Sequence, residues 1–153
     1  MARIVVLGYG NPLRGDDGVG WRVAEAVANR WPGYPMVRTG HQLVPEWAAD
    51  LHTAEFAYFV DASVEAGRPK LEPVALDGAI SAIDGHSMHP AQLLRLTYEV
   101  FGHAPSAFVL HVPAARFGFG DALSPVATTG VSAAIRALRR HCRNVLATAS
   151  NAR

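Results

Sequence analysis

Two adjacent acids, Asp16 and Asp17, stand near the end of a glycine-rich stretch, GYGNPLRGDDGVG. A third, Asp61, closes the apolar run FAYFV, and the histidines His41, His86 and His89 stand in polar stretches between apolar segments. Carboxylate oxygens and imidazole nitrogens form the donor set of a hard-to-intermediate cation such as nickel, zinc or manganese. Three protein ligands leave positions open for water or a substrate group. A glycine-rich turn that opens a helix also suits a phosphate, because free backbone N–H groups and the helix dipole favour anions. The spacing argues against that use here. Gly8 and Gly10 are followed by Leu13 where G-x-G-x-x-G requires glycine, and the third glycine comes only at Gly15. Two carboxylates at that place would also repel a pyrophosphate. One acid suffices as helix N-cap. Either Asp16 or Asp17 is expected to cap, which leaves the other at the mouth of the turn.

The elements that position these groups follow from patterning. Ile4 to Leu7 is an unbroken apolar run, fit for a strand covered on both faces. Val19, Val23 and Val27, with Ala24 and Ala28, form one stripe of a helix that Trp31, Pro32 and Gly33 stop. Tyr34 to Arg38 gives a second strand, and Pro45 fits the first turn of a helix carrying Leu43, Trp47 and Leu51. His41 lies between the two. Glu55 to Ser63 is the third strand, with Asp61 where its buried run ends. A charge there must cap, pair or bind, since burying it alone is costly. Leu71 to Leu76 is a fourth strand, placed at an edge by Pro73. His86 and His89 stand at the entrance of a helix that Pro90 opens, that buries Leu93, Leu94, Leu96 and Val100, and that Gly102 stops. Ala107 to Val112 is the last strand, with His111 expected as a sheet-face residue. Ser124 and Pro125 start a terminal helix through Leu146.

Strands alternating with helices predict a single-domain α/β sandwich of three layers. Its central sheet is mostly parallel but mixed, of about five strands, with helices on both faces. The domain spans residues 1–147, and a polar tail, 148–153, is expected to fray. In such sheets ligands bind outside the carboxyl ends of the strands. Asp17, His41 and Asp61 each follow the carboxyl end of one of the first three strands, and His86 can join them from its loop.

Composition narrows the function classes. At 153 residues, 50% of them hydrophobic, the chain supports one sizeable core. A formal charge of +1, spread over interspersed acids and bases, recommends neither nucleic acid nor an anionic membrane as partner. The basic run Arg136 to Arg143 is expected to be the solvated face of the terminal helix. No apolar run approaches a membrane span, and the N-terminus lacks the three-part pattern of a secretory signal. Cys142 is the sole cysteine, which excludes an intrachain disulfide and a thiolate metal cluster and suits a reducing cytoplasm. It has no acid–base motif around it and is expected to be inert. G-x-S-x-G and H-E-x-x-H are both absent, so serine, cysteine and zincin hydrolase routes lack their parts.

The run VVLGYGNPLRGDDGVG, then HQLVPEWA, FVDAS, a histidine ahead of PAQLL, and LSPVATTGV resembles the nickel-iron hydrogenase maturation endopeptidases over nearly the whole chain. The resemblance implies an aspartyl-type, metal-dependent endopeptidase of the cytoplasm. It would remove the C-terminal extension of a hydrogenase large-subunit precursor once nickel is inserted. By motif register the metal-contacting, catalytic trio falls on Asp17, Asp61 and His86, with His89 the alternate ligand, which leaves Asp16 as the expected cap of the first helix. HQLVPE resembles the branch serving cytoplasmic, often multisubunit, hydrogenases, which makes His41 a site-rim residue. On this analogy nickel arrives with the precursor, other divalent metals substitute, and a monomer meets a large partner. The metal or a carboxylate base would activate water and polarise the scissile carbonyl. Other readings stay open. One is a non-catalytic partner that checks the precursor's nickel. Another is a hydrolase resembling the peptidyl-tRNA hydrolases, which needs a basic cleft. A nucleotide-binding oxidoreductase is disfavoured by the glycine spacing.

Overall fold

A strand that is apolar throughout belongs inside the sheet, with both its faces covered. Such a strand is β1 (Ile4–Tyr9), buried from Ile4 to Gly8 in the computed structural model, which describes residues 3–31, 35–76 and 88–152. β1 pairs in parallel with β2 (Met36–Gly40) on one side and β3 (Phe56–Ser63) on the other. β5 (Ser106–Pro113) pairs in parallel with β3, and β4 (Lys70–Val74) runs antiparallel to it at the edge. The order β2-β1-β3-β5-β4 is the mostly parallel, five-stranded mixed sheet expected. Pro73, Lys70 and Glu72 suit the edge position of β4, since proline and charge discourage further pairing.

Successive side chains of a strand face opposite sides, and the two cores divide accordingly. Val6, Tyr58, Val60, Leu110 and Val112 face α1 (Val19–Arg30) and α4 (Pro125–Asn151). Val5, Leu7, Ala57 and Phe59 face α2 (Ala48–Leu51) and α3 (Pro90–Phe101). The chain leaves β1 for β2 on one side and returns across it to β3 on the other. That reversal opens a crevice at the carboxyl ends of β1 and β3.

Several elements differ from their expected form. β2 runs later than anticipated, Met36–Gly40; Tyr34, Pro32 and Gly33 lie outside the described residues. The helix expected around Pro45 is a 3-10 turn, Pro45–Trp47, followed by the single turn of α2, with Leu43 and Leu51 buried. In α1, Ala28 is exposed and Gly20 is buried instead, because the helix lies almost against the sheet backbone. In α3, Val100 is 62% exposed, while Thr97 is buried with its hydroxyl donating to the Leu93 carbonyl at 2.7 Å. The segment expected to fray from Thr148 continues α4 to Asn151, and the Thr148 hydroxyl donates to the Asn144 carbonyl at 3.0 Å.

The close approach of α1 to the sheet rests on glycines. A Cβ at Gly20 would lie 2.7 Å from the Val60 carbonyl oxygen and 2.8 Å from that of Tyr9. A Cβ at Gly8 would strike the Gly20 carbonyl. Both contacts are to backbone, which cannot swing aside. Gly20→Val should therefore destabilise the chain by about 3 kcal/mol in denaturant melts, the upper range for overpacking. An unchanged midpoint would mean that α1 does not pack so closely.

Candidate active site

The turn after β1 is built by a carboxylate that is not a helix cap. Asp16 is fully buried and accepts hydrogen bonds from the backbone N–H groups of Ala115 at 2.7 Å, Arg116 at 2.9 Å and Ser124 at 2.8 Å. The Ser124 hydroxyl adds another at 2.5 Å. The expectation that Asp16 caps α1 is thereby corrected. The α1 N-cap is Gly18, with no side-chain bond, and Asp16 turns instead to the β5–α4 connection. Burial alone would raise its pKa, but the Ser124 hydroxyl and the three N–H groups outweigh burial and hold it below the ordinary value.

That clamp fixes Asp17, the next residue, which is half-buried at the carboxyl end of β1. Asp17 Oδ2 accepts the Asn11 N–H at 2.7 Å. Gly10 lies in the left-handed region, φ +135°, and a Cβ there would collide with the Asp17 carbonyl. Among the described residues, no hydrogen bond engages Asp17 Oδ1. The Trp21 indole N–H spans the neighbouring strand ends, reaching the carbonyls of Gly10 at 2.8 Å and Gly40 at 3.0 Å. His41 follows β2, exposed, edge-on to Trp21 with ring centroids 6.1 Å apart.

Asp61 belongs to β3 itself, which continues two residues past it to Ser63. Burial raises its pKa, His111 and the Ala62 N–H oppose that rise, Asp17 adds to it and His89 opposes it. Asp17, His89 and His111 therefore all bear on Asp61 at the carboxyl end of the sheet. Tyr9 belongs to the same group: burial first, then Asp61, disfavour loss of its phenolic proton. It stands there as a neutral hydroxyl.

The histidines divide. His86, the expected third ligand, lies outside the described residues. His89 is the N-cap of α3, its N–H donating to Gln92 Oε1 at 2.8 Å. His111, in register beside Asp61 on β5, donates through Nε2 to Glu72 at 2.8 Å. His89, His111 and Glu72 line one open cleft of about 530 Å³ between β4, β5 and the start of α3. Among the described residues, no group of three acids, histidines or cysteines is arranged to hold a metal ion. Cys142 is buried in α4, and burial pushes its pKa up to about 11. A thiol held neutral there is no nucleophile.

Sequence reasoning passed over His111 and Tyr9 as members of this group. His111 becomes a neighbour of Asp61 only through the β3–β5 pairing, and Tyr9 only through the crossing from β1 to β3; neither relation has a local signal.

No protein-family model matches the chain, and no curated protein matches it in sequence. Solved structures do match. The hydrogenase maturating endopeptidase HybD from E. coli has a TM-score of 0.73 at 22% identity, over 94% of this chain and 93% of its own. The hydrogenase maturation protease HybD from Thermococcus kodakarensis has 0.69 at 21%, over 90% and 97%. HycI from the same organism has 0.68 at 21%, over 93% and 91%. This chain has the fold of the hydrogenase maturation endopeptidases. The shared fold spans nearly the whole of both chains. Among the described residues, no helix is long and apolar enough to cross a membrane.

The Asp16 clamp has a measurable consequence. A carboxylate whose folded pKa is lowered contributes stability above its ordinary pKa near 3.8, and that stability is lost as pH falls through the folded value. Asp16→Asn places an NH₂ among N–H donors and should cost about 3 kcal/mol at pH 7. In thermal melts from pH 7 to 2, the gap between wild type and variant should narrow below about pH 4. A gap constant across that range would contradict the clamp.

Proposed function

We propose that this chain is an endopeptidase that removes the C-terminal extension of a nickel-iron hydrogenase large-subunit precursor after nickel insertion. It recognises the precursor's nickel through Asp17, Asp61 and His86. The observation that carries this reading is the placement of Asp17 and Asp61. The two carboxylates come from different strand ends on either side of the switch point, and the Asp17 charge adds to the burial that makes ionisation of Asp61 costly. A cation brought between them removes that cost, and the oxygen donors with an imidazole from the loop before α3 suit nickel. The shared fold supports the same reading.

The chain's own residues have distinct tasks. Asp17, anchored by the Asn11 N–H through one oxygen, presents its carboxylate to the ion carried by the substrate. Asp61, whose pKa burial raises, is the better placed of the two to accept a proton from the attacking water. Water adds to the scissile carbonyl, the C–N bond breaks, and the proton passes to the departing amine. The precursor's nickel polarises the reacting groups and licenses cleavage, so the enzyme alone is a poor peptidase. His41 contacts substrate at the rim.

Purified precursor, with and without nickel, is incubated with the enzyme and followed by intact mass. Loss of the extension is expected only with nickel; equal loss in both contradicts the proposal, and no loss in either points to a partner that checks nickel without cutting. Asp17→Ala and Asp61→Ala should each slow processing at least about a hundredfold with unchanged far-ultraviolet circular dichroism. His86→Ala should do the same, while His89→Ala retains most activity. Normal processing by both aspartate variants would move the site elsewhere. The reverse order of the histidines would transfer the ligand role to His89.

A further inference from the structure

The loops after β1 and β5 are zipped together by their backbones. The Gly120 N–H donates to the Leu13 carbonyl at 2.7 Å, the Gly15 N–H to the Gly120 carbonyl at 2.8 Å, and the Asp16 N–H to the Arg116 carbonyl at 2.8 Å. Arg14 and Gly120 form a parallel bridge. Behind this seam lies the buried Asp16 carboxylate, so it is a fixed platform and not a pair of loose loops. Its outer surface is apolar where solvent would favour polar groups. Phe119 is 97% exposed and Leu13 56%, each immediately ahead of its strand's bridge residue and so at the same end of the parallel bridge. The Ala114 N–H donates to the Ser63 carbonyl at 3.0 Å, which ties the start of the β5–α4 loop to the end of β3.

Charge is one-sided on this platform. Arg14 and Arg116 are exposed, and among the described residues neither has a carboxylate partner. Arg22 joins them, donating to the backbone carbonyl of Asp121 at 3.0 Å. Asp121 is the exposed acid of the same loop, outnumbered by these arginines. An exposed aromatic flanked by arginines is the composition of protein interfaces, where such residues carry most of the binding energy. The platform also shares its turn with Asp17, so a protein segment that reaches the crevice from this side must cross it.

We propose that Leu13, Phe119, Arg14 and Arg116 form a docking surface for an acidic segment of the precursor that carries a large apolar side chain. The apolar side chain covers Phe119 and Leu13, and the carboxylates pair with Arg14 and Arg116. The proposal rests on the reading of this chain as the precursor's endopeptidase, and it adds that recognition has a second part, separate from the metal.

The test uses the full chain and nickel-loaded precursor. Processing rates are measured against precursor concentration for wild type, Leu13→Ser/Phe119→Ser and Arg14→Glu/Arg116→Glu. KM is expected to rise about tenfold or more in each variant with kcat within about twofold, as for loss of binding made equally in ground and transition states. The defect of the charge-reversed variant should shrink with added salt, whereas that of the apolar variant should not. Nickel ion titrated into each free variant should bind as to wild type, which a general disruption of the turn would not allow. Unchanged KM in both variants overturns the docking surface while leaving the endopeptidase reading intact. If wild type fails to process the precursor, biosensor binding separates the two ideas. Precursor binding lost in both variants supports docking and sinks the protease, and absence of binding by wild type sinks both.

Discussion

The Asp16 carboxylate has no contact with water, and its oxygens take hydrogen bonds from Ala115, Arg116 and Ser124. A buried ionised group is tolerable only when it is satisfied in this way, and removing it would leave a set of orphaned donors. The bonds run about a hundred residues along the chain, from the first turn to the start of the last helix. Ser124 in turn caps α4, its Oγ accepting the Ala127 N–H at 3.3 Å. One buried charge thus fixes the β1–α1 turn, the β5–α4 loop and the beginning of the longest helix. Asp17 inherits its position from that arrangement, and so does the platform of Leu13 and Phe119.

Around this anchor the sheet order supplies the rest. Because β3 lies between β1 and β5, Asp61 is in register beside His111 on one side and follows the Gly8–Val60 pair at the end of β1, where the turn carrying Asp17 begins, on the other. Polar and charged groups stand at these strand ends, while β1 and β3 below them are buried and apolar on both faces. Gly8, Gly10 and Gly20 have no side chain because backbone already fills the space where one would go. The glycine-rich run is therefore a packing device that lets α1 approach the sheet and lets Asp17 fold back over β1, and its glycines have no phosphate role in this account.

Much of this was legible in the chain. Apolar runs alternating with helical stripes give the α/β class, and Pro73 gives the edge strand, because those signals are local. The carboxylates at the ends of strands 1 and 3 are legible for the same reason. Asp16 was misassigned because an acid ahead of a helix has a common local role, whereas its actual partners lie on a distant loop. Ala28 and Val100 belong by spacing to buried stripes, yet they face solvent because the breadth of a buried stripe depends on the neighbour packed against it. His111 gained its place beside Asp61 only once β5 paired with β3. Long-range neighbours decide such roles, and spacing along the chain does not carry them.

The central claim is that Asp17 and Asp61 together hold the nickel that identifies the substrate. Crystals of the full chain soaked with nickel, with anomalous data collected at the nickel edge, test it directly. The account predicts one ordered ion bound by an oxygen of Asp17, an oxygen of Asp61 and an imidazole nitrogen of His86, absent from crystals of Asp61→Ala. An ordered ion bound without either aspartate, or crystals with none in this crevice at saturating nickel, would contradict it.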